Sequence, residues 1–145
     1  HEDVIPLTVQ DRELGEIRVV IDGSHPAMTS EDRGVIQTLA SQVALAIEND
    51  RVVRVIHVST GKSSTPTPAG DYKTYAKIAK WWSVPFREWL LWAVPFNGGI
   101  AFHELAEVPP YPASHGCVRE TFVNSKWMYD FSRVGMPVKV LTSSR

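Results

Sequence analysis

The chain has 145 residues, a formal net charge of −1 and a hydrophobic content of 43%. This length and composition allow one ordinary domain or two very small ones, with enough apolar side chains for a core. No apolar run approaches the roughly 20 residues of a membrane-spanning helix, and no signal-like segment precedes the first strand-like stretch, so neither a transmembrane segment nor a targeting signal is expected.

Composition changes abruptly near residue 50. Residues 1–50 hold ten acidic and three basic side chains, whereas residues 51–145 hold six acidic and twelve basic ones. All 14 Trp, Tyr and Phe residues also follow residue 50. These two shifts predict segments of different origin joined near Asn49-Asp50-Arg51. The basic charges are scattered and do not form the dense stripe typical of nucleic-acid binding, so no nucleic-acid partner is expected.

A β-hairpin and a long helix are predicted for residues 1–50. The runs Val4-Ile-Pro-Leu-Thr-Val9 and Glu16-Ile-Arg-Val-Val-Ile21 are rich in strand formers and flank a polar segment, which is typical of a hairpin. Thr29 is a natural helix N-cap with Asp32 three residues later. Apolar residues then recur at helical spacing and predict a helix over 29–50; they are Val35, Ile36, Leu39, Val43, Ala46 and Ile47.

This first segment resembles the C-terminal half of a GAF sensor domain. The resemblance is carried by Ile5-Pro-Leu7, Glu13-Leu-Gly15, Met28-Thr-Ser-Glu-Asp32 and Leu39-Ala-Ser-Gln-Val-Ala-Leu-Ala-Ile-Glu48. A preceding portion supplies much of the ligand pocket in that family, so no binding residue is implied here. A fragment of about 50 residues buries too little surface to be stable alone. The 29–50 helix is therefore expected to join the core or to form a homodimer seam.

Residues 51–145 predict mixed structure with more strand than helix. Strands are expected over 52–58, 72–78 and 136–141, and a buried strand over 98–103 is expected to deliver His103 at its end. Residues 59–70 have loop chemistry, with two prolines that restrict them. The aromatic stretch over 81–96 has no regular pattern, and its part over 81–92 is interpreted either as a lid or wall over a cleft or as core. Residues 121–131 predict a helix.

Cys117 is the only cysteine and so cannot close an intrachain disulfide. It follows Ser114-His-Gly116, a loop-like setting in which a thiol can be exposed as a nucleophile. A free thiol is only slightly ionised at neutral pH, so a neighbouring base must take its proton. His103 comes from a separate strand and can face the thiol across a cleft, whereas His115 belongs to the same tight loop.

Other groups of this loop suit an acyl-transfer site. The backbone N–H groups of His115, Gly116 and Cys117 can converge on a developing oxyanion, because glycine permits the unusual φ that such a turn needs. Arg119 carries a fork-shaped guanidinium suited to a substrate carboxylate. The nearby His, Glu and Cys residues lack the spacing of zinc motifs, so no metal is expected.

Four ordered motifs over residues 51–142 resemble the L,D-transpeptidase (YkuD-type) catalytic domain of bacterial cell-wall enzymes. They are Ser59-Thr-Gly61, Thr65-Pro-Thr-Pro-Ala-Gly70, Ile100-Ala-Phe-His103 and Ser114-His-Gly-Cys-Val-Arg119. The resemblance implies Cys117 as the nucleophile and His103 as the general base. It implies an oxyanion or supporting role for Ser114, His115 and Gly116, substrate contacts from Arg119 and Tyr111, and no cofactor.

The implied fold is α+β, with a β-rich catalytic sheet, a few helices and the GAF-like hairpin and helix in front. In this family an additional strand normally precedes the strand matched by residues 51–58, and the predicted 29–50 helix occupies that place. The domains are therefore expected to be residues 1–50 and residues 51–145, with the hairpin completing the catalytic sheet or the sheet lacking its first strand. Glu104 and Glu120 also depart from the family pattern, which has Gly or Ser and an apolar residue there.

The function implied by this resemblance is that of a cysteine acyltransferase acting on peptidoglycan stem peptides. It would form 3→3 cross-links, or hydrolyse the stem as an L,D-carboxypeptidase, through a thioester on Cys117. The resemblance also implies a carbapenem adduct and a location outside the cytoplasmic membrane, at the cell wall. Two alternatives are open: a recombined or engineered chimera with weak or no activity, and a signalling or dimerisation module built on the 29–50 helix.

Overall fold

A computed structural model describes residues 2–9, 12–20, 29–30 and 42–141. The chain divides into two compact units, residues 1–41 with 141–145, and residues 42–140, here called the main unit. In the first unit, strands β1 (Glu2–Val9) and β2 (Arg12–Val20) pair antiparallel with a bulge at Leu7/Thr8. The predicted hairpin is therefore confirmed, and its second strand begins earlier than its apolar run.

The predicted helix over 29–50 is wrong at its C-terminal end. Residues 31–41 of that helix lie outside the described residues, but Val43–Glu48 is strand β3 and pairs antiparallel with β4 (Arg51–His57). The two strands are joined by Asn49 and Asp50, whose φ values of 51° and 60° make a two-residue hairpin turn. A strand therefore precedes β4. The predicted homodimer seam required a continuous helix over 29–50, and residues 43–48 do not form one.

Burial within β3 explains why strand and helix were confused. Ala46 is 3% exposed while its neighbour Ile47 is 56% exposed, which is the two-residue alternation of a strand with one face on a core. A helical face would bury both. In a segment this short, apolar positions fit either period, and the turn residues that follow it decide for the strand.

The main unit carries a four-stranded sheet in the order β6-β7-β8-β9. Its strands are β6 (Ile78–Ser83), β7 (Glu88–Asn97), β8 (Ile100–Glu104) and β9 (Val118–Glu120). The pairs β6–β7 and β7–β8 are antiparallel, whereas β8–β9 is parallel. The aromatic stretch over 81–96 was predicted to be irregular and is instead most of the β6–β7 hairpin, with Trp82 opposite Trp89.

Two further elements complete the main unit. Strand β5 (Gly70–Lys73) pairs with β10 (Pro137–Val140), and helix α1 (Phe122–Phe131) contacts β7, β8 and β9. Among residues 42–141, α1 is the one α-helix, and the structure is otherwise β-rich as predicted. The buried apolar core is formed by Ile56, Val58, Val94, Phe96, Phe102, Val118, Met128, Met136 and Val138. No helix in the described part of the chain is long and apolar enough to cross a membrane.

Candidate active site

The loop before β9 is held in shape by the hydroxyl group of Ser114. This buried hydroxyl accepts a hydrogen bond from the Gly116 N–H at 3.0 Å and donates one to the carbonyl of Cys117. Gly116 has φ 128°, a conformation that residues with a Cβ rarely adopt, and a Cβ there would also approach the Ile100 side chain at 3.4 Å. The sequence Ser-x-Gly therefore closes a tight turn that presents the Cys117 thiol.

The loop over residues 59–70 braces this turn from the other side. Ser59 and Arg119 exchange backbone hydrogen bonds of 3.0 and 2.9 Å, so the segment after β4 runs along β9. The Thr67 hydroxyl donates to the Gly116 carbonyl at 2.7 Å and accepts from the Gly61 N–H at 2.9 Å. Gly61 must lack a side chain, because a Cβ would lie 2.2 Å from the carbonyl oxygen of Thr65. Two of the predicted motifs thus act as one rigid support.

His103 lies in the middle of the sheet on β8 and is buried. Its Nδ1 lies 2.7 Å from the carbonyl oxygen of Glu104, and since a carbonyl only accepts, Nδ1 carries the proton. Nε2 of the neutral ring is then a free base. Burial lowers the pKa of His103, with a smaller lowering by the positive charge of Arg119, while the Glu104 carbonyl and the charge of Glu88 oppose these effects. The ring is therefore neutral at neutral pH and able to accept a proton.

The Cys117 thiol is half-buried and its Sγ lies 3.5 Å from the carbonyl oxygen of Gly99. Desolvation raises the pKa of Cys117, and this exceeds the lowering by a backbone hydrogen bond from Ala101 and by the charge of Arg119. The resting thiol is therefore protonated. A nucleophile in this state needs a base within reach, rather than a preformed thiolate.

The parallel β8–β9 pairing places Cys117 close to the strand that carries His103. His103 pairs with Arg119 across this ladder, and the ladder begins at Val118, opposite Phe102. Cys117 directly precedes Val118 and so lies one residue before the paired part of β9.

Both side chains line a cleft of about 370 Å³. Arg119 and His115 lie in the same cleft, and the β6–β7 hairpin supplies an aromatic and apolar wall formed by Trp81, Trp82, Val84, Pro85, Phe86 and Leu90. The start of the aromatic stretch thus forms a wall of the cleft, whereas Val94 and Phe96 farther along β7 belong to the core. Among the residues that the structure describes, no three His, Cys, Asp or Glu side chains cluster as metal ligands would.

The matched family model is the L,D-transpeptidase catalytic domain, YkuD, over residues 31–140. That match covers most of the chain and includes the loop, both candidate catalytic residues and β3. The chain belongs to the YkuD family. The match begins inside the segment that resembles a GAF domain, and neither the GAF resemblance nor a chimeric origin gains support from the comparisons.

Solved structures of YkuD-family enzymes share the fold. The L,D-transpeptidase of Stackebrandtia nassauensis is 24% identical with a TM-score of 0.67, over 77% of this chain and 66% of that one. The enzyme of Mycobacterium smegmatis is 24% identical with a TM-score of 0.64, over 70% and 54%. The enzyme of Xylanimonas cellulosilytica is 30% identical with a TM-score of 0.60, over 70% and 56%. The chain thus spans less than two thirds of the length of these relatives. No curated protein matches it.

In this YkuD-family domain His115 has surroundings unlike those of His103. Its ring packs on Phe86 with centroids 4.8 Å apart, and its Nε2 lies 3.4 Å from the Lys62 ammonium. The contact with a cation occupies the lone pair that a general base would use. His115 is therefore placed at the rim of the cleft, which favours His103 as the base.

Three other predicted site residues differ in where the structure places them. The Gly116 N–H is engaged by Ser114, so Gly116 shapes the loop instead of offering an oxyanion donor. The Tyr111 side chain is 57% exposed and lies outside the residues that line the cleft, while its carbonyl accepts a hydrogen bond from the Ser59 hydroxyl at 2.8 Å. Arg119 lies in the cleft beside His103, as a substrate contact would require.

The sequence patterns do not predict Phe86 and Glu88 at the YkuD cleft, or Lys62 beside His115. Lys62 directly follows the motif Ser59-Thr-Gly61, so its position near the site could be predicted from that motif. Phe86 and Glu88 come from the hairpin that was predicted to be irregular, and no local pattern marks which of its side chains face the thiol. Glu88 acts at a distance on His103, whose pKa it raises.

Proposed function

We propose that this chain is the catalytic part of an L,D-transpeptidase in which Cys117 is the nucleophile and His103 the general base. The observation that carries the proposal is the pair itself: the Cys117 thiol, directly before β9, and the His103 imidazole, on the neighbouring strand β8 with its Nδ1 held by the Glu104 carbonyl, line one cleft. Such a pair suits attack on an amide carbonyl without a metal or cofactor.

The proposed first half-reaction is acylation by a peptidoglycan stem peptide. His103 Nε2 takes the thiol proton as Cys117 Sγ attacks the carbonyl of the third-position diamino acid at its L-centre. The oxyanion is stabilised by the backbone N–H groups left in the loop, those of His115 and Cys117. The C–N bond then breaks, His103 returns the proton to the leaving amine of the terminal D-alanine, and a thioester remains.

In the second half-reaction an acceptor resolves the thioester. The amine of a neighbouring stem attacks the carbonyl, gives a proton to His103 and forms a 3→3 cross-link, with Cys117 leaving as the thiol. Water in place of the amine gives L,D-carboxypeptidase activity. Arg119 is suited to a substrate carboxylate in either case. Such a substrate places the enzyme outside the cytoplasmic membrane, at the cell wall.

Relatives that share the fold include complexes with β-lactams and with avibactam. One L,D-transpeptidase structure is in complex with imipenem, one from Mycobacterium tuberculosis holds a faropenem-derived adduct, and another is an avibactam carbamoyl enzyme. We extend this chemistry to the present chain. Incubation with imipenem is expected to give one covalent adduct per chain by mass spectrometry, which is absent in Cys117→Ala.

A matched pair of histidine variants tests the base. His103→Gln is expected to slow imipenem acylation by roughly 100-fold or more, since general-base catalysis contributes about 10²–10⁴-fold. His57→Gln serves as the control, because His57 contacts the Val108 carbonyl at 3.2 Å and lies outside the cleft. An unmodified wild-type protein that is correctly folded, or equal acylation of His103→Gln and wild type, contradicts the proposal.

A further inference from the structure

Glu120 is a completely buried acid at the end of β9, with 0% of its surface exposed. Side chains alternate along a strand, so Glu120 faces away from Arg119 and toward the side where Val118 joins the core. The next residue, Thr121, is the N-cap of α1. Glu120 therefore lies where the shortest strand of the sheet meets the helix packed on it.

Neither carboxyl oxygen of Glu120 has a hydrogen-bond partner in the part of the chain that the structure describes, and the same holds for the nearby buried hydroxyl of Ser125 on α1. The cation that acts on Glu120 is Arg54 on β4. That guanidinium already donates to Asn124 at 3.0 Å and stacks 4.8 Å from the centre of the Trp127 ring. Glu120 thus lacks a direct counterion.

The other charged groups around Glu120 do not compensate. Glu104 pairs with it in register across the β8–β9 ladder and offers no positive charge. On α1, Lys126 and Asp130 pair with each other on the exposed side of the helix. Desolvation raises the pKa of Glu120 to about 8, with Arg54 lowering it in part. The carboxyl group is accordingly neutral at neutral pH.

We propose that Glu120 is a positioning residue that holds β9, and with it Cys117 and Arg119, in place only while its carboxyl group is neutral. An ionised carboxylate without a partner is costly in an apolar interior, so on ionisation it must reach water. It can do so only if β9 or the start of α1 moves. Because β9 has three residues and Cys117 directly precedes it, such a movement displaces the thiol from His103.

The sign of the stability effect follows from linkage. The native state keeps the Glu120 proton up to about pH 8, whereas the unfolded chain loses it near the ordinary value of 4.5. Between these two values the native state binds more protons, so its stability falls as the pH rises. The folding equilibrium constant falls by up to about tenfold per pH unit in this window, and this contribution changes no further above it.

The test compares wild type with Glu120→Gln, which is neutral at every pH, and with Glu107→Gln, an exposed control. Urea unfolding from about pH 5 to about pH 9.5 is expected to show wild type losing stability relative to Glu120→Gln across the window, with Glu107→Gln parallel to wild type. Glu120→Leu, which fills the site with an apolar side chain, gives the same comparison if Glu120→Gln does not fold.

Positioning is read separately from stability, on folded protein. The imipenem acylation rate of wild type divided by that of Glu120→Gln is expected to be constant below about pH 7 and to fall at least tenfold by about pH 9.5. The rate of Cys117 alkylation by iodoacetamide in wild type, divided by that in Glu120→Gln, is expected to rise over the same pH range, because a displaced thiol is better solvated. A constant acylation ratio beside a pH-dependent stability makes Glu120 merely structural and overturns the inference.

This inference rests on the proposed function only for the acylation readout. If imipenem acylates no variant, the proposed function fails, while the unfolding and alkylation comparisons still decide the role of Glu120. If wild type and Glu120→Gln show the same pH dependence in both of those measurements, the inference fails and the proposed function is untouched.

Discussion

At the scale of single residues, the candidate pair is neutral rather than a thiolate–imidazolium ion pair. Burial acts in opposite directions on the two groups: it lowers the pKa of His103 and raises that of Cys117. Both shifts favour the uncharged forms, as expected where a low dielectric surrounds acid and base alike. In the proposed reaction the proton must therefore move during attack, and the Glu104 carbonyl fixes the tautomer that can receive it.

The neutral pair predicts how the imipenem acylation rate depends on pH in the acidic range. Acylation requires unprotonated His103, so the imipenem acylation rate is expected to rise as the pH increases through the pKa of His103 and to level off by about pH 7. Because that pKa is lowered, the midpoint is expected below the ordinary value of 6.5. Rates measured from about pH 4.5 to about pH 7 check this, with His115→Gln as the control that keeps the same limb.

Two outcomes contradict the neutral pair. One is a midpoint above 6.5 in the acylation profile, which would mean that the pKa of His103 is raised instead of lowered. The other is ultraviolet thiolate absorbance at neutral pH that disappears in His103→Gln. The second result would mean that an ion pair forms before substrate arrives.

At the scale of secondary-structure elements, the catalytic half was largely predictable and the first fifty residues were predictable only in part. Strand β4, strand β8 with His103 near its end, helix α1 and strand β10 all follow from local patterns. The β6–β7 hairpin was missed because aromatic residues on both faces obscure its two-residue period. Residues 43–48 were misread because their apolar positions fit two periods, and Asn49-Asp50 was interpreted as a junction between segments instead of a hairpin turn.

The candidate site was also predictable only in part: its reactive side chains were, and the groups that hold them in place were not. His103 and Cys117 were identifiable because motif chemistry singles them out, whereas the Glu104 carbonyl that orients His103 is a backbone group that no residue type announces. The hydrogen bond from the Thr67 hydroxyl to the Gly116 carbonyl links residues 49 positions apart. Contacts of this kind depend on the packing of the whole unit, so no local pattern predicts them.

Two variants in β3 distinguish a strand from a helix at residues 43–48. Ala46→Asp is expected to lower the free energy of unfolding by about 2 kcal/mol or more, because Ala46 is buried and its cross-strand neighbour Arg54 is already held by Asn124 and the Trp127 ring. Ile47→Asp is expected to cost less than about 1 kcal/mol, because Ile47 is largely exposed. Urea unfolding of both variants at neutral pH gives the comparison. Similar large losses in both would indicate a helical face and contradict the strand.

At the scale of the whole molecule, the question is where the catalytic part begins. The compositional shift predicts residue 51, whereas the family match starts at residue 31 and the main unit at residue 42. The pairing of β3 with β4 decides which boundary matters physically. Removal of β3 would leave β4 as an unpaired edge and would uncover the core beside Ile56, which faces Ala44 in the β3–β4 ladder.

Two truncations test this boundary directly. A chain that begins at residue 29 keeps the whole family match, and we propose that it folds and reacts with imipenem within about threefold of the intact chain, a change in barrier of less than about 1 kcal/mol. A chain that begins at residue 51 lacks β3 and is expected to be unfolded or unreactive. Thermal unfolding and the mass of the adduct are measured on the same samples, so that loss of fold and loss of chemistry are distinguished.

If the chain from residue 51 is as stable and as reactive as the intact one, β3 is dispensable and the boundary lies where the composition changes. If the chain from residue 29 fails while the intact chain reacts, the β1–β2 hairpin is required for the catalytic fold despite lying outside the family match.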